Sequence, residues 1–325
     1  MKYFFLPAAI LLLAMVSSSC SKRECYTQSN NDEVAEADLI TPEVSARIIE
    51  SKDQRPFTGA LEIYPCRDDS PIYFGNYVNG RLSVFYGFYM IVGGDVFGNY
   101  NREIHLPTGD YNMVYWGTPK YDEPIHNAPQ IVSPGLTAGA DVSKLYFSLR
   151  SIGDGIYSPV YDLVHAVKTA HIGTDALETS LTRVGSGLKV IVKQSDGSVF
   201  IPEIANVKVN IGGIAEKINF YTGEAENLTK TVQFELTRSE DGLTYENPTV
   251  MLFPSAENPP LELLITLYDG TEFKLTQNLN TTLSPNTRLT LNISIGKILP
   301  DGNPGDFTYD DWNENSENID FPIVD

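Results

Sequence analysis

Cysteine is nearly absent from this chain: Cys20, Cys25 and Cys66 are the only three in 325 residues. Their spacing matches no zinc site. Histidine is also scarce, at positions 105, 126, 165 and 171. No pair has the H-E-x-x-H spacing that sets two ligands and a base on one helical face. His165 and His171 would not align on a helix either, so all four read as surface or packing residues. Positive charge is in short supply, with 23 Lys and Arg against 42 Asp and Glu and a net charge of −19. Nucleic-acid binding rests on neutralising phosphates, so that class is excluded. A charge-driven grip on anionic lipid is excluded with it, and the acidity reads as solubility on an exposed surface. Serine is plentiful, yet no G-x-S-x-G elbow occurs. Gly185-Ser186-Gly187 lacks the remaining spacing of a phosphate-cradling loop. Asp301-Gly302-Asn303 starts like a calcium loop, but the rest of the pattern is missing. No catalytic, cofactor or metal residue is therefore expected, and the chain does not read as an enzyme. After residue 16, no apolar run approaches the length of a membrane-spanning helix.

What the chain does have begins at its start, MKYFFLPAAILLLAMVSSSC. Lys2 precedes an apolar run from Tyr3 to Val16, and three small residues, Ser17 to Ser19, lead into Cys20. This resembles the bacterial lipobox, in which small residues permit cleavage and the cysteine is acylated. It departs from that pattern at Ser17, since the aliphatic Val16 lies one position early. Cys25 follows Arg23 and Glu24 and is no alternative acceptor. Residues 1–19 are expected to be a lipoprotein signal peptide, with Cys20 the lipidation site. A single acyl chain holds a protein only marginally, but two or three, palmitate among them, hold firmly. The expected location is the cell outer membrane, lipid-anchored and exposed at the surface. Residues 20–42 are polar and read as a flexible tether. Cys25 and Cys66 are left either to pair or to remain thiols.

Period-two alternation dominates the C-terminal half. Leu188, Val190 and Val192 show it, as do Val207, Val209 and Ile211, and Val232, Phe234 and Leu236. So do Leu261 to Leu267, Phe273 with Leu275, and Leu289 to Ile295, with Asp269-Gly270 as a hairpin turn. Such strands at short spacing, with Gly, Asn, Asp and Pro between them, predict an antiparallel sandwich. The N-terminal half reads as less regular strands over 60–64, 72–77, 81–92 and 142–150. A hairpin is expected with 102–106 and 111–117 flanking Pro107 to Asp110. Pro159 to Thr169 is the exception and reads as a short helix or an irregular crossover, since Val160, Leu163, Val164 and Val167 fall at helical spacing and Pro159 suits a helix start. The expected domains are 43–175 and 176–325.

Two surface features carry functional expectations. Phe85, Tyr86, Phe88 and Tyr89 either line a glycan-binding face or pack as strand aromatics. The last segment, 301–325, holds eight acidic residues and no Lys or Arg, yet Phe307, Tyr309, Trp312, Ile319, Phe321 and Ile323 are spread through it. Pro322 confines its final stretch to a sheet edge. Such a segment either completes its own domain or adds a strand to a neighbour, and these six residues are the candidate subunit contacts.

Several stretches together resemble the fimbrillin superfamily of Bacteroidales, particularly its FimB-like anchor or accessory lipoproteins of type V pili. REIHLPTGDYNMVYWG (102–117) is similar to the N-domain hairpin, and LETSLTRVGSGLKVIVKQSDG (177–197) to the entry into the C-terminal domain. GTEFKLTQNLNTTLSPNTRLTLNISI (270–295) resembles the penultimate hairpin, and DDWNEN (310–315) the near-terminal tryptophan motif. The resemblance implies an all-β chain of two tandem transthyretin-like antiparallel β-sandwich domains. It also implies an outer-membrane lipoprotein whose partners are other fimbrial subunits. Pilins of this group insert a C-terminal strand into a neighbour's groove, which proteolysis opens by removing an N-terminal strand. Arg47 and Arg55 lie early enough for that cut, whereas an anchor would keep the strand and its lipid. The alternative function is a surface adhesin that binds host or bacterial glycans through the exposed aromatics.

Overall fold

A computed structural model describes residues 38–50, 53–84, 87–99, 101–120, 128–296 and 313–315. The alternating Val, Ile and Leu runs form strands, as β-branched residues favour when one face is buried. The strands build two principal sheets. In the first, eight-stranded sheet, Leu177–Arg183 pairs with Val164–Ile172, then follow Gly109–Pro119, Gly59–Arg67, Tyr89–Val92, Asp95–Val96 and Val44–Glu50. Val44–Glu50 pairs back onto Leu177–Arg183, in parallel from Leu177↔Val44 to Thr182↔Ile49. The order therefore closes on itself, and only Asp53–Pro56 hangs outside the ring, on Val44–Glu50. Closure removes open edges, the usual liability of an exposed sheet. Val44, Ala46, Ile48, Leu61, Ile63, Ile91, Met113, Tyr115, Leu177 and Leu181 fill its interior.

The second sheet has thirteen strands. Ile204–Asn219 is its spine, pairing with Ala225–Arg238 along one side and with Pro260–Leu267 and Tyr146–Leu149 along the other. Midway, the register shifts at Gly212-Gly213, and Gly213 has φ +66°. The spine thereby changes partner from one strand to the next. Thr244–Glu246 carries the sheet across to a second layer, Ser186–Gln194 beside Thr287–Ile295. Leu188, Val190, Val192, Leu289, Leu291 and Ile293 face the larger core together with Val207, Val209, Ile211, Val232 and Phe234.

Gly109–Pro119 belongs to both cores. Tyr111, Met113 and Tyr115 point into the first, Val114 and Trp116 into the second. A strand buried on both faces reads as a near-continuous apolar run, as YNMVYW does apart from Asn112. Trp116 Nε1 donates to the Phe220 carbonyl at 2.9 Å. Its ring packs against Phe147, His165 and Phe220, with centroids 4.8, 4.5 and 5.8 Å away.

The all-β expectation holds, and all six alternating runs of the C-terminal half are strands, with Asp269-Gly270 turning the hairpin Pro260–Leu267 to Glu272–Asn278. Pairing is not purely antiparallel. Ser186–Gln194 with Thr287–Ile295, Leu177–Arg183 with Val44–Glu50, and Ile156–Tyr157 with Ala225–Arg238 are parallel. A parallel pair needs a long crossover, which strands supply here instead of a helix. The short helix or irregular crossover expected over Pro159 to Thr169 is also corrected: Val164–Ile172 is a strand in register with Gly109–Pro119. Its inward residues include Ala166 and Ala170, too small to announce alternation, while Val167 of the helical pattern is exposed. The expected hairpin around Pro107 to Asp110 is absent, because Leu106–Pro107 pairs instead with Leu39–Ile40. The expected strand 81–92 is broken into Arg81–Ser83 and Tyr89–Val92. Strands Ile131–Val132, Tyr146–Leu149, Ser151–Gly153 and Ile156–Tyr157 join the second sheet, while Leu177–Arg183 joins the first. The sheets thus exchange segments across residue 175.

Candidate functional site

Cys20 and all six candidate contact residues, Phe307, Tyr309, Trp312, Ile319, Phe321 and Ile323, lie outside the described residues. One piece of the terminal segment is described: Asn313–Asn315 is a short strand antiparallel to Thr287–Ile295, with Thr290↔Asn315, Leu291↔Glu314 and Asn292↔Asn313 in register. The opposite side of Thr287–Ile295 is filled along its length by Ser186–Gln194. Among the described residues, only Asn313–Asn315 pairs on the side facing away. Strand addition uses the backbone donors and acceptors of such a side.

Beside this edge lies a groove of about 500 Å³ lined by Lys189, Thr237, Arg238, Ser239, Glu246, Asn247, Pro248, Thr249 and Arg288. Local structure explains it. Thr244–Glu246 and Val250–Leu252 both pair with Ser186–Gln194, but the chain leaves the ladder between them. Asn247 bridges that break: its Oδ1 accepts from the Val190 N–H at 2.7 Å and its Nδ2 donates to the Leu188 carbonyl at 3.0 Å. The Asn247 N–H also donates to the Val190 carbonyl at 3.4 Å, so side chain and backbone together bridge the break and the buried amide is used. Lys189 Nζ lies 3.7 Å from Glu246 Oε2. Arg238 Nη2 donates to the Phe200 carbonyl at 2.5 Å, which holds its guanidinium at the rim. Three cations thus share one lining with one carboxylate, on a chain of net charge −19. The outward position of Lys189 was legible from strand alternation. Its meeting with Arg238 and Arg288 was not, because they come from three different strands.

The other candidates are placed as follows. Phe88 is exposed, whereas Tyr89 is buried with its hydroxyl accepting from the Ile104 N–H at 2.7 Å. Phe85 and Tyr86 lie outside the described residues, so the described pair presents one ring outward and one inward. Phe97, which the sequence did not single out, is 64% exposed on the same hairpin. Cys66 is a free, buried thiol, its pKa pushed up by burial to about 12, and Cys25, the other half of the pairing alternative, lies outside the described residues. His105 Nδ1 is 2.8 Å from Thr41 Oγ1, and His171 Nδ1 is 2.7 Å from Asp110 Oδ1. His165 is buried against Trp116, and burial lowers its pKa from 6.5 to about 4. His126 lies outside the described residues. No metal-holding group of three His, Cys, Asp or Glu occurs among the described residues, and no described helix is long and apolar enough to cross a membrane. Arg47 is exposed within Val44–Glu50, and Arg55 within Asp53–Pro56.

Comparison with curated proteins returns no match. Among solved structures, the fimbrial anchor protein Mfa2 from Porphyromonas gingivalis is 12% identical, with a TM-score of 0.48, covering 85% of this chain and 98% of that one. A candidate polysaccharide-binding protein from Bacteroides thetaiotaomicron is 14% identical, with a TM-score of 0.49, covering 78% and 92%. A candidate cell adhesion protein from Bacteroides ovatus is 15% identical, with a TM-score of 0.45, covering 88% and 99%. The family described as fimbrillin-A associated anchor proteins Mfa1 and Mfa2 matches residues 42–318. That span takes in both sheets and the strand Asn313–Asn315; the chain belongs to the family of fimbrillin-A associated anchor proteins.

Proposed function

We propose that this protein is a non-catalytic anchor subunit of a fimbrium, tethered to the outer membrane by acyl chains on Cys20 and joined to other subunits at its sheet edges. The observation that carries the reading is the position of Val44–Glu50. This strand supplies Val44, Ala46 and Ile48 to the first core and pairs with three others. The first sheet closes through it. A pull on a lipidated Cys20 would therefore be transmitted straight into the ring. A cut after Arg47 would take two core residues with the lipid and leave the ring open. An anchor keeps this strand, and here the fold depends on it.

The subunit contact is assigned to the outer side of Thr287–Ile295, with the terminal segment and its Phe307, Tyr309, Trp312, Ile319, Phe321 and Ile323 taking part by strand addition. A second partner class, surface glycans, would meet Phe88 and Phe97, whose rings are exposed, rather than the buried Tyr89.

Mass spectrometry of the mature protein tests the anchor reading. The expected N-terminal peptide starts at an acylated Cys20 and is continuous with Val44–Glu50, and Cys20→Ala moves the protein from the membrane to the soluble fraction. A mature chain starting after Arg47, or a C20A variant that stays with the membrane, overturns it.

A further inference from the structure

We propose that this chain is built to bear tension along its length through two parallel strand pairs in series, Val44–Glu50 on Leu177–Arg183 and then Ser186–Gln194 on Thr287–Ile295. The source of the tension rests on the anchor reading, in which a membrane holds one end and a fimbrium the other. The mechanical property belongs to the fold and stands apart from that reading.

Strand direction decides how a pull is borne. A pull on the N-terminus reaches Val44–Glu50 at Val44. The register with Leu177–Arg183 runs in parallel from Leu177↔Val44 to Thr182↔Ile49. The chain leaves the second strand at its other end, at Arg183. The two forces therefore act at opposite ends of the pair and point along the strands, so every bond between them is loaded at once. In an antiparallel pair the same two forces would meet at one end and peel the strands apart bond by bond.

Only Val184 and Gly185 separate Arg183 from Ser186. The pull then enters Ser186–Gln194 at Ser186, and the register with Thr287–Ile295 is again parallel, from Ser186↔Thr287 to Gln194↔Ile295. A pull on the C-terminus arrives at Ile295, the opposite end, once the short pairing of Asn313–Asn315 lets go. The second pair is thus loaded in shear like the first.

Backbone and side chains fit this use. The Ala46 N–H donates to the Gly94 carbonyl at 2.9 Å, and its carbonyl accepts from the Phe57 N–H at 3.1 Å. Its backbone groups therefore face away from Leu177–Arg183, and alternation turns those of Ser45, Arg47 and Ile49 toward it. At the start of the pair the Leu177 N–H donates to the Glu43 carbonyl at 2.7 Å. Val44, Ala46 and Ile48 sit in the first core, so sliding the strand also strips apolar contacts. Asn286 pins the joint between the pairs. Its N–H donates to the Gly185 carbonyl at 2.9 Å and its Nδ2 to the Ile49 carbonyl at 3.2 Å. One residue thus ties the end of the first pair to the start of the second.

Single-molecule force spectroscopy tests the proposal on the full chain carrying Cys20→Ser and Cys25→Ser, with two pulls at one loading rate. One pull runs between the termini. The other runs from the N-terminus to a handle on Ala176→Cys, an exposed position next to Leu177, and peels Val44–Glu50 from its partner. Overall stability is nearly the same in both, so a difference reports direction alone. The terminal pull is expected to need about twofold more force or greater, because the register pairs share the load and forced unfolding follows the barrier. A disulfide between Arg47→Cys and Ser180→Cys, which are opposite one another in the first pair, isolates the second pair. Oxidised, the terminal pull should release about 460 Å less chain, at about 3.5 Å per residue of the bypassed 47–180 loop. Its rupture force should stay above that of the peel, and reduction should restore the full length. Circular dichroism and thermal midpoint confirm that each variant folds. Equal forces in the two directions overturn the proposal. So does an oxidised chain that yields at the peeling force, since Ser186–Gln194 would then bear no load. Absence of acyl chains on Cys20 would overturn the anchor reading and leave these forces unchanged.

Discussion

His165 shows at the scale of one residue how packing sets chemistry. A histidine in a β-rich chain with no ligand spacing reads as either a surface or a packing residue. The structure makes His165 a packing residue, with its ring 4.5 Å from that of Trp116. Burial disfavours the imidazolium and lowers its pKa to about 4, only partly offset by a hydrogen bond to the Tyr221 backbone. Between about pH 4 and 6.5 the unfolded chain binds a proton there that the folded chain refuses. His165 thus adds no penalty above pH 6.5, and stability falls as pH drops through that window until the loss is complete near pH 4. At pH 5 its share is about 2 kcal/mol. Carboxylates titrate lower, so comparison with His165→Phe isolates the effect. Urea unfolding at pH 7 and pH 5 should show the parent losing about 2 kcal/mol more than the variant over that interval. Equal losses would mean that the folded protein protonates His165 readily. The sequence could not choose between the two readings, because what packs on His165 is Trp116 on a neighbouring strand and the turn at Tyr221 and Gly223, more than fifty residues away in the chain.

At the scale of elements, legibility followed side-chain size. Runs such as Leu188 to Val192 and Leu289 to Ile295 announce themselves because large apolar residues alternate with polar ones. Val164–Ile172 does not, since its inward positions include Ala166 and Ala170, and chance spacing of valines imitates a helix. Gly109–Pro119 is legible only as apolar, for it is buried on both faces. Bends are carried by residues without side chains, and Gly212-Gly213 is the chief case. A Cβ on Gly212 would approach Pro260 Cγ to 2.7 Å, while Gly213 takes φ +66°. The left-handed conformation there is costly for a β-branched residue. Gly213→Val should lower unfolding free energy by about 2 kcal/mol. A reduced urea midpoint at unchanged m-value is the expected reading. An unchanged midpoint would show that the spine strand tolerates another path at the bulge. The cation groove was illegible for a related reason. Lys189, Arg238 and Arg288 belong to strands brought together by topology, and no local pattern records their meeting.

At the scale of the whole molecule, two tandem sandwiches would suggest two units that melt separately. The packing argues otherwise. Cys66, Tyr73, Val114 and Trp116 come from the first half of the chain, yet they belong to the same core as Leu188, Phe220 and Leu291. Tyr64 adds an edge-to-face contact with Phe220 at 5.0 Å, and Asn286 Nδ2 donates to the Ile49 carbonyl at 3.2 Å. Segments exchanged between the sheets reinforce this: Tyr146–Leu149 lies in the second sheet, and the chain then returns to the first through Val164–Ile172. Neither sheet is complete from one contiguous half, so the described fold should unfold in one cooperative step. Trp116 is the residue on which that coupling turns, through its volume and its bond to Phe220. Trp116→Ala should cost about 3–5 kcal/mol. Calorimetry, with near- and far-ultraviolet circular dichroism alongside, checks both statements. The parent should give one transition with coincident probes, and the variant a lower midpoint, with the aromatic signal lost before the backbone signal if the shared core is what binds the sheets. Two resolved transitions in the parent would refute the coupling. On the proposed anchor reading a single transition fits the role, because force passed from the N-terminal strand to the proposed contact edge then meets the stability of the whole fold rather than that of its weaker half.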